Sequence, residues 1–327
     1  MFFITGCNGL VGSYIARDLL QKGEKVRALK RKDCDLSLLR DIQEQIDWIE
    51  GDISDVSLLD EALKGIDYVI HSAAVISFAP KDKELMFRIN VEGTANIVNA
   101  SLKNSIKNFC HVSSVAALGE KKDSKNIDET SEFILANASN YGYSKYLSEL
   151  EVYRGIEEGL NAFIVNPSII LGPGNWEKSS SRLFKYVWEE NLFFTEGKMN
   201  FIDIRDVTSI IIQLMNLTDI KGERFILNAG SVSYKDFFNT VAYHLDVRPP
   251  KYKINTFIAE VAWRLEAIKS KITGSSPLIT KETARNSRKE VLFNNLKIRE
   301  TLGVGFRTIE DTINWSCQEL KGKYARR

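Results

Sequence analysis

The glycine run in Thr5-Gly6-Cys7-Asn8-Gly9-Leu10-Val11-Gly12 constrains this chain more than any other feature. It follows a buried-strand pattern, Phe2 to Thr5. It opens a segment where Leu10, Val11, Ile15 and Leu19 recur at helical spacing until Gly23. Strand, glycine turn and helix in that order begin a βαβ unit, and the helix start presents free N–H groups and a partial positive charge. There Gly6 suits the tight turn, Gly9 lets a pyrophosphate approach the backbone, and Gly12 lets the helix pack close to the sheet. The predicted ligand is a dinucleotide held by Gly6, Asn8, Gly9, Leu10, Val11 and Gly12. No lysine follows the last glycine, so the loop is not one that grips nucleoside triphosphates.

The same alternation continues downstream. Strand patterns fall at Lys25–Leu29, around Trp48-Ile49, at Tyr68-Val69-Ile70, at Phe109–Val112 and at Ala162–Val165. Helical patterns lie between them over residues 36–45, 55–64 and 82–104, and another begins near Tyr141. Strands alternating with helices specify an α/β fold, here a doubly wound parallel sheet of Rossmann type. After Pro167 the rhythm breaks. Gly172-Pro173-Gly174 and the polar Glu177–Ser181 stretch are loop chemistry, and helices then dominate, with strand candidates near Phe201–Ile204 and Phe225–Leu227. The expected division is a nucleotide-binding domain over 1–167 and a smaller, mostly helical substrate lobe over 168–327. The two interleave, because Ile210–Leu214 reads as a helix returning to the sheet.

Composition narrows the function classes. With 44 Lys and Arg against 43 Asp and Glu in 327 residues, the net charge is +1, which gives no field for nucleic acid. No apolar run approaches the roughly 20 residues that span a bilayer, and Met1–Gly6 does not read as a signal peptide. Cys7, Cys34, Cys110 and Cys317 are scattered, and His71, His111 and His244 have no ligand spacing, so neither disulfides nor a metal site is expected. A cytoplasmic location is the expectation. The stripe Val261, Leu265 and Ile268 within Phe257–Ile272 could lie on a membrane surface or under a partner, but such a stripe is more often a helix packed on its own lobe.

Cofactor choice is decided after the second strand, where an acid selects NAD. Here Lys30-Arg31-Lys32 stands there, and Lys30 and Arg31 suit a ribose 2′-phosphate, so NADP is favoured and NAD remains possible. Asp52, in Gly51-Asp52-Ile53, suits the adenine amino group or a helix cap. For chemistry, Tyr141 and Lys145 sit four apart at a helix start, on one face. A lysine cation beside the phenol would lower its pKa, so that it exchanges a proton near neutral pH. Tyr143, Tyr146 and Tyr153 have no lysine at that spacing. Ser113-Ser114, at the end of the fifth strand, offers a hydroxyl in the crevice where such sheets bind ligands.

These motifs together resemble the extended short-chain dehydrogenase/reductase superfamily, the NAD(P)-dependent epimerase/dehydratase family, and most of all its dihydroflavonol-reductase-like branch. The matching residues are Thr5–Gly12, Gly51-Asp52-Ile53, His71-Ser72-Ala73-Ala74, Asn90–Asn96, Ser113-Ser114, Tyr141-x-x-x-Lys145, Asn166-Pro167 with Leu171–Gly174, and Ile202–Val207. The resemblance implies Tyr141 as general acid/base and Lys145 as the residue that holds the nicotinamide ribose and tunes it. Ser114 would polarise the reacting C–O group. Ile53, Ala73 and Ala74 would line the cofactor, Pro167 and Ile170 would border the carboxamide, and Asn90 would be structural. Asn166 stands where the family usually has arginine.

The departures point one way. Ser114-Val115-Ala116 lacks the Asp-Glu pair that the family's sugar dehydratases carry, and Leu118 precedes Gly119 where many sugar epimerases carry Tyr. Arg288–Gly303 and Arg307–Glu310 also resemble the reductase-like branch. The expected protein is therefore an NAD(P)-dependent oxidoreductase acting on a small-molecule carbonyl or secondary alcohol. A nucleotide-sugar epimerase is the alternative, a non-catalytic NADP sensor a weaker one, and a homodimer is expected by analogy. Trp176, Phe184, Phe193 and Phe194 suggest an apolar substrate, although ordinary core explains them better.

Overall fold

The computed structural model describes residues 1–119, 126–253 and 291–324. The Phe257–Ile272 stripe and residues 288–290 lie outside the described residues. In chain order, the elements up to the central strand are β1 (Phe2–Thr5), α1 (Leu10–Gln21), β2 (Val26–Lys30), β3 (Asp47–Glu50), α2 (Val56–Ala62), β4 (Tyr68–His71), α3 (Lys83–Phe87), α4 (Gly93–Lys103) and β5 (Asn108–Val112). There follow β6 (Asn126–Ile127), α5 (Asn140–Glu157), β7 (Ala162–Pro167), β8 (Ile169–Leu171), α6 (Ser181–Trp188), β9 (Phe193–Phe194), β10 (Lys198–Asp203) and α7 (Ile204–Met215). The chain finishes with β11 (Arg224–Leu227), β12 (Gly230–Ser233), α8 (Tyr234–Leu245), β13 (Tyr252–Lys253), β14 (Leu292–Phe293), α9 (Leu296–Leu302) and α10 (Ile309–Tyr324).

Seven strands pair in the order β11-β7-β5-β4-β1-β2-β3, and every pairing is parallel. A parallel sheet must be covered on both faces, and its strands show it. Successive residues alternate between two cores: Phe2 and Ile4 face one, with Ile15, Leu19, Ile211 and Leu214, while Phe3 faces the other, with Leu59, Ile97, Val98 and Val152. Helices α1 and α7 cover the first face, and α2, α4 and α5 the second. Phe3, Phe109 and Phe163 are wholly buried, each stabilising the sheet by about 1.5–3 kcal/mol.

The strand order reverses between β1 and β4. That switch point opens a crevice at the carboxyl ends of the strands, where Thr5-Gly6, His71–Ala74 and Ser113-Ser114 all arrive. Beside it, β8, β10 and β12 form a second sheet, with β10 parallel to β8 and antiparallel to β12. Trp176 and Phe184 lie in its core with Phe201, Phe237 and Phe238, while Phe193 is exposed, so the aromatic cluster is mostly packing. From β10 the chain returns through α7 to the main sheet, where β11 forms the edge beside β7.

Two helical expectations change in three dimensions. Residues 36–45 form turns ending in a single 3₁₀ turn, with Leu39 N–H bonded to Leu36 O and Ile42 N–H to Leu39 O, both at 2.9 Å. Leu39 and Ile42 are buried, so their spacing recorded burial rather than helix. The 82–104 pattern is helical but interrupted, because Arg88–Glu92 widens into a π turn between α3 and α4. Asn90 sits in that turn. Its Oδ1 accepts from Val75 N–H at 2.7 Å, and its Nδ2 donates to Val75 O at 3.0 Å and Ser144 Oγ at 2.9 Å. The extra backbone width brings a side chain to the loop after β4 and to α5 together.

Candidate active site

The glycine loop has the shape of a phosphate cradle. Gly6 takes φ +70°, and a Cβ there would lie 2.6 Å from Ala73 N; a Cβ on Gly12 would lie 2.4 Å from Gly6 O. Both positions exclude a side chain by close backbone approach. Gly9 is not excluded from carrying a side chain in the same way. Its backbone is extended (φ −84°, ψ 174°), so the turn itself does not demand glycine, and a Cβ would meet only Gly6 O, at 3.2 Å. Space above Gly9 is therefore open, and no side chain caps the first turn of α1. Uncapped N–H groups at a helix start, under an open glycine surface, fit a pyrophosphate.

Around this cradle the other expected contacts are arrayed. Leu10 and Val11 start α1 and pack half-buried against the first core. Asn8 leans away from the cradle, its Nδ2 3.5 Å from Asp35 O in the loop after β2. Lys30 ends β2 with its ammonium 5.8 Å from the centre of the Trp48 ring, and Arg31 is exposed. The Asp52 carboxylate accepts from Ser54 N–H (3.0 Å) and Ser54 Oγ (2.7 Å), which together with the Arg31 and Arg88 charges holds it below the usual range. The cap of α2 is Asp55, accepting from Leu58 N–H, so Asp52 does not serve there. Ile53 is buried under Gly93. Ala73 and Ala74 are half-buried at the crevice, and Ala73 N–H donates to Thr5 Oγ1 at 3.2 Å. Pro167 closes β7, buried, and Ile170 is half-buried in β8.

Helix α5 begins at Asn140, capped by Ser139, whose Oγ accepts from Gly142 N–H at 2.7 Å. That start places Tyr141 in the first turn, with its phenol beside the Ser114 hydroxyl, whose Oγ accepts from Ala116 N–H at 3.2 Å. Lys145, one turn on, is buried, and its ammonium donates to Val112 O at 2.8 Å. The structure thus gathers Ser114, Tyr141 and Lys145 at the end of β5. The electrostatics depart from the expected ones. Burial pushes the Tyr141 phenol up to about 12, with the neighbouring Ser114 hydroxyl opposing it, while the Lys145 ammonium is engaged with the β5 backbone. Burial lowers Lys145 itself to about 8, with Glu149 pulling the other way.

A polar layer that sequence reasoning missed lies beneath these residues. Glu149, another turn along α5, is buried; its Oε1 accepts from Ser113 Oγ at 2.5 Å and from Asn166 Nδ2 at 2.6 Å, and Arg224 Nη1 lies 3.2 Å from its Oε2. Where the resembled family carries arginine, Asn166 supplies an uncharged donor, and the cation beside Glu149 comes from β11. The available signal was Glu149 itself, at i+4 from Lys145 on the same face. Next to the layer, His71 bridges Thr5 Oγ1 (2.6 Å) and Thr94 Oγ1 (2.9 Å) and stacks on His111, whose two ring nitrogens are buried without hydrogen-bond partners. On the open side, Phe78 lies edge-on to Tyr141 with ring centres 6.1 Å apart, and Ile76 is exposed nearby in the chain.

Comparison with known proteins identifies the family and the fold. A profile of the NAD dependent epimerase/dehydratase family matches residues 2–230. A putative dihydroflavonol 4-reductase from a Synechocystis species is 29% identical over 325 residues, covering 96% of this chain and 94% of that protein. Sterol demethylase protein B from Methylococcus capsulatus is 28% identical, over 68% of each chain. The crystal structure of gox2253 superposes with a TM-score of 0.83 at 30% identity, over 100% of this chain and 99% of that one. With the family profile spanning well over half its length, this chain belongs to the NAD-dependent epimerase/dehydratase family of enzymes.

Proposed function

We propose that this chain is an NADP(H)-using reductase or dehydrogenase that acts on a carbonyl or the matching secondary alcohol, with Tyr141 as the general acid/base. The observation that carries the reading is the convergence of Ser114, Tyr141 and Lys145 at the carboxyl end of β5, beside the open glycine cradle. A bound nicotinamide would supply or accept the hydride. Gly6–Gly12 hold the pyrophosphate, Asp52 and Ile53 the adenine side, and Ala73, Ala74, Pro167 and Ile170 the nicotinamide side. Ser114 Oγ, beside the Tyr141 phenol, orients the substrate oxygen, and Tyr141 passes it a proton. Lys145 keeps a positive charge one helical turn from the phenol.

Cofactor choice follows from Lys30 and Arg31, the two cations at the end of β2. The reductase direction is supported by the relative named as a reductase and by Val115-Ala116, which replaces an acid/base pair for elimination. Ile76 and Phe78 favour an apolar substrate surface facing Tyr141. The lobe built on β8, β10, β12 and α8 is read as the substrate side. The test is absorbance at 340 nm with NADPH and NADH against panels of carbonyls and nucleotide sugars. Reduction of carbonyls supports the reading; turnover of nucleotide sugars alone, with NAD retained through purification, replaces it with an epimerase.

A further inference from the structure

The last three residues of β5 and its exit are each held by a different partner. Val112 O accepts from Lys145. Ser113 Oγ donates to Glu149, and Ser113 N–H donates to Val165 O at 2.8 Å. Ser114 O accepts from Asn166 Nδ2 at 3.0 Å, and the same amide donates to Glu149. Lys145 and Glu149 are successive turns of one helix, so α5 grips this segment twice, and Glu149 reaches Ser114 from two sides.

Glu149 is an expensive residue to keep there. An isolated carboxylate in a protein interior is strongly disfavoured, and an apolar side chain of similar volume is often as stabilising as a buried ion pair. The groups that face Glu149 are Lys145 and Tyr153 on α5, Arg224 from β11, Ser113 from β5 and Asn166 from β7; those facing Lys145 are Glu149, His71 from β4 and His111 from β5. Both histidines disfavour a second positive charge, and Glu149 is the only carboxylate facing the ammonium among the described residues. Arg224 also donates to Glu129 O and Ser131 O, so the carboxylate ties the segment between β6 and α5 to the same frame.

We propose that Glu149 is a positioning residue of this site: it braces the Ser113-Ser114 turn through Ser113 and Asn166, and it sets a carboxylate one helical turn from Lys145. The proposal rests on the reading of Ser114, Tyr141 and Lys145 given above. It separates two effects of one side chain, geometry and charge.

The decisive measurement needs no substrate. In protein carrying ¹³C- and ¹⁵N-labelled lysine, with the Lys145 signal assigned by its loss in Lys145→Met, the titration midpoint of Lys145 is followed by NMR. Glu149→Gln should lower that midpoint by about one pH unit, since the amide fills the space without the charge. The alkaline limb of kcat/KM should move down by the same amount, with the dissociation constant of the dinucleotide within about twofold of wild type. Glu149→Asp should restore the midpoint but leave kcat about tenfold low, because the shorter carboxylate cannot brace Ser113. An unmoved midpoint in folded Glu149→Gln overturns the charge role. Should that variant not fold, Ser113→Ala isolates the brace: kcat about tenfold low with the midpoint unchanged supports it, and wild-type kcat overturns it. Tyr141→Phe run in parallel keeps the two readings apart, since full turnover there removes Tyr141 from the mechanism while the Lys145 midpoint still judges Glu149.

Discussion

The Lys145 ammonium is bonded to the carbonyl of Val112, two residues before Ser114. A buried lysine anchored on a strand's backbone cannot swing, so its charge has a fixed place in the site, one helical turn from Tyr141. With burial setting Lys145 near 8 and Tyr141 near 12, the lysine is the first of these two groups to change charge as the protein is made alkaline.

Tyr141→Phe should lower kcat by about 10²–10⁴-fold, the usual contribution of a positioned acid/base. The phenol makes no part of the glycine cradle, so the dissociation constant of the dinucleotide should stay within about threefold. Turnover by the variant at saturating cofactor, matched to wild type, would take Tyr141 out of the chemistry.

Gly9→Val should fold normally and fail to bind dinucleotide. Its backbone is extended, which a β-branched residue accepts, and its Cβ would meet only Gly6 O within the protein. The branched side chain would fill the surface meant for phosphate. Unchanged affinity by calorimetry, in a variant with wild-type melting behaviour, contradicts the cradle assignment.

The double variant Lys30→Asp with Arg31→Ala should weaken NADP binding by about 1–3 kcal/mol while NAD holds or improves. Exposed Arg31 is expected to carry more of the loss than Lys30, whose ammonium already lies over Trp48. Dissociation constants for both dinucleotides at one salt concentration decide it. A wild-type preference for NAD shows the basic turn to be merely solvated.

Acid should destabilise the fold through its buried histidines. Burial, with the Lys145 charge adding to it, pushes His71 from 6.5 down to about 3, and His111 moves the same way. Between those values the unfolded chain binds a proton that the folded one refuses, so stability falls as pH falls through the window. His71 alone accounts for about 3–5 kcal/mol across it. Urea midpoints from pH 7 to pH 4 should therefore drop steeply, and His71→Gln should flatten the slope. An unchanged slope in that variant means His71 is not the group responsible.

Asn90→Ala should cost about 2–3 kcal/mol, because it strands both backbone groups of Val75 and removes a donor from Ser144 Oγ, which keeps its bond to Tyr141 O. Since Val75 leads into the loop carrying Phe78, the Michaelis constant for an apolar substrate should rise as well. A melting temperature within about 1 °C of wild type, a shift of less than about 1 kcal/mol for a chain of 327 residues, refutes this account of the π turn.

What the sequence determined by itself is whatever depends on near neighbours. The glycine loop, the alternation of strands and helices and the Tyr141/Lys145 spacing are local patterns, since a strand's two-residue period and a helix's 3.6-residue period are set by the backbone. The same logic misled over 36–45, where Leu39 and Ile42 keep a helical spacing to serve burial in turns. Only the tertiary structure decided what lies across the sheet. Phe225–Leu227 reads as a short strand of the second lobe, but its place beside β7 brings Arg224 to Glu149 across 75 residues of chain. Asn166 reads as a lost arginine until that contact is seen. Tyr141 reads as a phenol eased by its lysine, whereas in the packed structure burial raises it and Lys145 is bonded to Val112 O. Desolvation and cross-strand pairing arise from the packed whole, so no window of the sequence carries them.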